Sequence, residues 1–175
     1  VFQRYIGWRY ILTMFFAGLG MYTYLRQVNI GHRAALWAGV AFMSAPTFLA
    51  FPMAGQYAKM GVIAVFPWMC LFLERGMERG RLIHLAGLGG MIGLGVYSHP
   101  PIMFYALLGL GVYFLFKAYQ IYREKADVKR LAQRSVFFVF SVVLGLALGA
   151  EGAFPLFFYT RTESKRATGE EAGGK

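Results

Sequence analysis

Few side chains here can do chemistry, and most of them stand where an apolar run ends. Glu151 is the sharpest. It follows sixteen uncharged residues, 135–150. A carboxylate in a lipid-crossing helix costs about 2.5–3.5 kcal/mol at mid-bilayer and marks an ion path, a ligand contact or an ion pair. Its place late in the run lowers that cost, and a basic partner such as Lys59 or Arg161 would lower it further. The residue is therefore expected to face a polar cavity with a cation beside it. His99 lies in Ser98-His99-Pro100-Pro101. Paired prolines stop a helix and push the preceding residue toward extended geometry, so the imidazole is presented at a helix end. There it can contact a ligand or change charge, or serve as a turn histidine bonded to a backbone carbonyl. Gln56 and Lys59 close a 25-residue stretch, 34–58, that carries no charge. Arg161, Lys165 and Arg166 follow the last apolar run, where cations can hold phosphate or anchor a helix among headgroups. His84, beside Arg81, reads as interfacial, Cys70 as a small buried thiol, and Asp127 as a solvated partner of lysines. The chain contains no P-loop, G-x-S-x-G or H-E-x-x-H motif, and no metal-ligand set is read from it.

These residues must be positioned by helices in lipid. Apolar residues make up 58% of the chain and charged ones only 15%, against about 45–50% and 25% in soluble domains. The 35 residues 82–116 contain no Lys, Arg, Asp or Glu. A soluble helix needs a polar face, and these runs have none; in lipid the demand reverses. The fold class is therefore an all-α, polytopic transmembrane helix bundle with about six spans, in contact with membrane lipids. The spans fall near residues 6–25, 34–52, 60–73, 82–97, 102–116 and 136–159. Residues 117–134 form a basic connector, either a helix lying on the membrane surface or a solvated link. Residues 160–175 form a polar tail or the start of a further region. A straight crossing takes about 20 residues, so the third to fifth spans need their flanks, or one of them is re-entrant. Pro67 interrupts the third.

The net charge of +10 does not indicate nucleic acid, because the basic residues sit between apolar runs, as in membrane proteins. With the loop between the first two spans placed in the cytoplasm, that side holds 11 Lys and Arg and the other side 7. The positive-inside rule then puts 55–59, 98–101 and the tail outside. Gly89 and Gly93 form a G-x-x-x-G pair, and Ser141, Gly145, Gly149 and Ala153 repeat at four-residue spacing. Such small-residue faces let helices approach closely in lipid. Glu151 lies about 160° around its helix from the second face. The chain begins at Val1, and both ends are expected to be cut from a longer protein.

Taken in order, Gly55-Gln56-x-x-Lys59, Phe66-Pro67-Trp68, Leu73-Glu74-Arg75-Gly76 and Tyr97-Ser98-His99-Pro100-Pro101-Ile102-Met103-Phe104-Tyr105 resemble the YfhO-like family of bacterial polytopic membrane proteins. Glu163-Ser164-Lys165-Arg166 is similar to a basic segment of that family, and the likeness spans about residues 25–166. The family is similar to GT-C glycosyltransferases, which take sugars from polyprenyl-phosphate carriers at the outer face. The resemblance implies a multi-pass protein of the bacterial inner membrane. It implies a GT-C-like segment that transfers sugar from a lipid-linked donor, with a base on the acceptor hydroxyl and cations, or a divalent metal in the full-length protein, on the departing phosphate. Lys59, Arg161, Lys165 and Arg166 are then phosphate contacts, Gln56 and His99 contact donor or acceptor, and Glu151 orients a cation. Gln56 stands where the family has His, and Pro101 where it has Gln. The acid expected in the first outer loop has no match, so it lies before Val1 or this member lacks it. Two rival readings stay open: a non-catalytic subunit of a larger membrane complex, and a transporter segment built on Glu151 and the paired prolines.

Overall fold

A computed structural model describes residues 2–125 and 128–162. Every element among them is α-helix: α1 (Phe2–Gln27), α2 (His32–Met43), α3 (Pro46–Met53), α4 (Tyr57–Arg79), α5 (Leu82–Ser98), α6 (Pro100–Lys125) and α7 (Val128–Thr162). The protein is a helical membrane bundle. Four stretches are long and apolar enough to cross a membrane: His32–Met53, Tyr57–Arg79, Pro100–Arg123 and Val128–Pro155. The apolar α5 is shorter, with 17 residues, or about 25 Å of helix. Large side chains such as Trp8, Trp37, Val112, Phe140 and Phe154 stand exposed. In water that surface would be an aggregation hazard; facing acyl chains it is the solvent-matched surface.

The boundaries differ from those read off the residues, each for a local reason. The second span is two helices, because Pro46 opens α3 at its first turn and Ser44-Ala45 breaks the chain before it. A proline at that position has no amide hydrogen to lose. Pro100 and Pro101 act in the same way: they begin α6 and leave His99 as the one residue between α5 and α6. The third span does not stop at Leu73. The helix α4 carries Pro67 inside it and runs for 23 residues to Arg79. Residues 117–125 are the last turns of α6 and 128–134 the first turns of α7, so the basic connector is built into the helices rather than lying as a separate element.

The helix α4 is the centre of the bundle. Val62, Met69, Cys70, Leu73 and Met77 along it are buried, packed in one cluster with Leu88 and Ile92 of α5 and Met103 and Leu110 of α6. It holds α1 through Trp68, whose ring stacks on Phe16 at 4.9 Å and whose Nε1–H donates to the Phe16 carbonyl at 3.0 Å. That ring occupies the space a side chain at Gly20 would need.

The most extensive helix pair is α5 with α7, and glycine sets it. A Cβ on Gly145 would overlap the Ile92 side chain and lie 2.8 Å from the Gly89 carbonyl oxygen; one on Gly149 would lie 2.5 Å from Val96 Cβ and 2.9 Å from the Gly93 oxygen. The two small-residue faces read from the sequence thus meet each other. Ser141 extends the seam, its hydroxyl donating to Phe137 O at 2.9 Å in its own helix and to Leu85 O of α5 at 3.3 Å. Lipid gives apolar helices little reason to associate, so close packing and such hydrogen bonds must supply it.

Gly145→Leu is expected to destabilise the bundle by about 1–3 kcal/mol, the usual cost of overpacking. Gly90→Leu, at a position with nothing within 4 Å of its would-be Cβ, should leave stability near wild type. Thermal unfolding in detergent, followed by circular dichroism, separates the two; equal midpoints would remove the seam from its structural role.

Candidate functional site

The connectivity sorts the polar residues to two ends of the bundle. At one end lie the start of α4, the junction of α5 with α6 and the late turns of α7. A Cβ on Gly61 would lie 2.8 Å from Ser98 Oγ, and one on Gly152 would lie 2.8 Å from Tyr97 Cα. Gln56, Lys59, His99 and Glu151 therefore share this end, but no side-chain hydrogen bond or ion pair joins any two of them.

Their surroundings differ. The amide hydrogen of Gln56 donates to Phe51 O at 2.8 Å and its carbonyl accepts from Lys59 N at 3.1 Å; the side chain is exposed and caps nothing. The Lys59 ammonium sits 5.7 Å from the centre of the Phe51 ring. His99 caps α6: the Ile102 amide donates to His99 Nδ1 at 3.3 Å, and the Met103 amide donates to the His99 carbonyl at 3.0 Å. The turn role was open in the sequence, with the ring as donor to a carbonyl; here the ring accepts from an amide. Glu151 is exposed and makes no hydrogen bond or ion pair with any described residue. Among the described residues no cation is paired with it; the side chain of Arg161, one of the two expected partners, lies outside them. The exposure of Glu151 follows from the glycine seam: with Gly145 and Gly149 turned onto α5, Glu151 is turned outward. Arg161 lies on the last turn of α7, and Lys165 and Arg166 lie outside the described residues.

Beside this end runs a groove of about 650 Å³ between α1, α4 and α5. Trp8, Leu12, Phe16, Val65 and Leu94 make its walls apolar, and Arg9, Thr13 and Ser98 are its polar lining. It has the shape and polarity to take an acyl or prenyl chain, with a guanidinium available for an acidic head. Arg9 entered the sequence reading only as one of the seven outer-side charges and carried no site role there.

The opposite end holds the densest polar network among the described residues. Glu74, 3% exposed, pairs with Lys117 at 2.6 Å and accepts from the Tyr113 hydroxyl at 2.6 Å. Tyr24 meets the Tyr113 ring edge-on at 6.2 Å. Next to it on α4, Arg75 Nε donates to Gln27 Oε1 at 2.9 Å, and Gln27 Nε2 donates to Oε2 of Glu78, one turn further along, at 2.8 Å. Together these tie α1, α4 and α6. A cavity of about 220 Å³ opens beside them, lined by Glu74, Glu78, Lys117, Gln120 and Arg130. Reading the residues alone gave Glu74 a place in a motif and missed its role, since 43 positions separate it from Lys117. The one available signal was an acid at the end of an otherwise apolar run.

No group of three or more His, Cys, Asp or Glu side chains able to hold a metal ion occurs among the described residues. No family model, no curated protein and no solved structure matches the chain.

Glu74→Gln strands the Lys117 ammonium beside a neutral amide, and removing one partner of a buried pair costs about 3–5 kcal/mol. Lys117 is 22% exposed, so a loss near the lower end, about 3 kcal/mol, is expected. The double variant Glu74→Gln/Lys117→Met should recover a large part of it. Additive losses in detergent unfolding would show that the pair is not coupled.

Proposed function

We propose that this chain is a segment of a GT-C-like membrane glycosyltransferase of the bacterial inner membrane, using a polyprenyl-phosphate-linked sugar at the extracytoplasmic face. The observation that supports this reading best is the apolar groove between α1, α4 and α5. It carries Arg9 in its lining and lies at the end of the bundle that also bears Lys59 and His99. A prenyl chain in the groove would exchange one apolar surroundings for another. The phosphate would be held by charge-assisted bonds from Arg9, which are among the strongest available, with Lys59 free to swing from the Phe51 ring. In the reaction the acceptor oxygen bonds to the anomeric carbon, the bond from that carbon to the phosphate oxygen breaks, and the polyprenyl phosphate leaves with the electron pair. Cations at the phosphate lower the barrier by meeting the charge that develops there. None of the described residues is assigned as the base that takes the acceptor proton.

A second reading, a non-catalytic subunit of a larger membrane complex, has its own support. The His99 ring is occupied as a helix cap, and Glu151 has no described partner.

Two measurements test the proposal. In a Cys70→Ala background, Pro101→Cys should react with an impermeant thiol reagent from outside, and Arg123→Cys only after permeabilisation; both side chains are exposed. The reverse pattern would turn the groove end toward the cytoplasm and reject the reading. Native mass spectrometry of the full-length protein should show decaprenyl phosphate retained, with roughly tenfold weaker retention in Arg9→Ala, the scale of one lost charged hydrogen bond. Retention by wild type and Arg9→Ala alike would leave the groove an ordinary lipid contact.

A further inference from the structure

The last turn of α4, the first turns of α5 and the early turns of α7 meet around the turn Arg79-Gly80-Arg81. Gly80 takes a left-handed conformation there (φ 62°), and the Arg134 guanidinium rests where a Cβ on Gly80 would be. This close approach suits glycine on both counts. Between the three helices is a gap of about 20 Å³ whose polar lining is His84, Arg81, Arg134 and Ser141. That is room for one water-sized atom group.

Two nitrogens at this gap lack a partner. His84 is 8% exposed, and its Nε2 is buried without a hydrogen bond, as is Arg134 Nε. Buried donors are almost always satisfied, and leaving one orphaned costs more when the group is charged. Ser141 Oγ has lone pairs that can accept, but it makes no hydrogen bond to either nitrogen; its own hydrogen is directed at backbone carbonyls. The Arg134 Nε–H can only donate, and His84 Nε2 donates in one of its tautomers. A single acceptor atom in the gap would satisfy both.

The charge around the gap says which acceptor. No carboxylate lines it. Glu74 and Glu78 line the separate cavity shared with Lys117 and Arg130. Arg75, Arg79 and Arg81 lie close enough to act electrostatically on His84. Arg134 adds a fourth guanidinium from α7, and Arg81 is exposed at the rim. A neutral water would fill the space but leave this positive field unanswered.

We propose that the gap seats one oxygen of a phosphate group, held by His84 Nε2 and Arg134 Nε, with the remaining phosphate oxygens facing Arg81. The chemistry is shared by two sources, the headgroup of an anionic phospholipid in the adjoining leaflet and free inorganic phosphate. Arg134 to Lys keeps the charge and loses the Nε–H; His84 to Leu removes the orphaned ring nitrogen with an apolar side chain that can stay buried.

The experiment places the full chain in nanodiscs of phosphatidylcholine, of phosphatidylcholine with phosphatidylglycerol, and of phosphatidylcholine with added inorganic phosphate. Unfolding midpoints and lipid retention by native mass spectrometry are read in each. The expected result is that phosphatidylglycerol raises the midpoint of wild type and of Arg123→Gln, an exposed control on α6. His84→Leu and Arg134→Lys should retain it about tenfold less. Protection by inorganic phosphate with the same dependence on His84 and Arg134 would support the site and assign it to the free ion. Equal responses of wild type and His84→Leu to both additives, or no response of wild type to either, would overturn the proposal. Should Arg134→Lys fail to fold, His84→Leu alone decides between these results.

Discussion

Neutralisation of the Glu74 carboxylate governs how far α4 can run inside the bundle. An isolated carboxylate at that depth would cost several kcal/mol. Lys117 and the Tyr113 hydroxyl, both from α6, remove most of that penalty. The consequence reaches well beyond one pair. Because Glu74 can stay buried, α4 continues to Arg79, and its last turn can bond to Gln27 of α1 and form the tight turn into α5. The central helix is thereby fastened at one end by polar bonds and elsewhere by packing. Such an arrangement also fixes which residues face each other: a rotation of α4 that moved Glu74 off Lys117 would move Trp68 off Phe16.

Packing in the rest of the bundle relies on the absence of side chains. At the seam of α5 and α7, each glycine lies under an atom of the other helix, and backbones come close enough for Ser141 to bond across. Lipid competes poorly for such a surface, because acyl chains cannot match its contours. The large apolar side chains are left on the outside, where acyl chains serve them as well as protein would.

The two ends of the bundle differ in kind. At the Glu74 end, polar groups are tied into a network linking three helices, and the groove-free gap at His84 and Arg134 lies close to a positively charged turn. At the His99 end the polar residues are near one another but independent. His99 is held as a helix cap and Lys59 by the Phe51 ring, beside a groove that is mostly apolar. An end with singly held cations and an open apolar groove is suited to a ligand that arrives through lipid; an end with interlocked charges is suited to holding helices together.

The helical membrane class was determined by the sequence alone, because uncharged runs such as 82–116 leave a helix no polar face to give to water. The small-residue faces of α5 and α7 were equally legible, since glycine at four-residue spacing lines up on any α-helix. The ends of helices were less so. Pro100 and Pro101 read as a stop and proved to be a start, because a proline lacks only a hydrogen that the first turn does not use. Which of the polar residues would find partners was decided by tertiary structure. Glu74 and Lys117 are brought together only by the packing of α6 on α4, and Glu151 is turned away from the bundle only by the seam that Gly145 and Gly149 make with α5. A charge in a single helix states a cost; whether that cost is met depends on atoms that lie dozens of positions away along the chain, and no local pattern records where they will be.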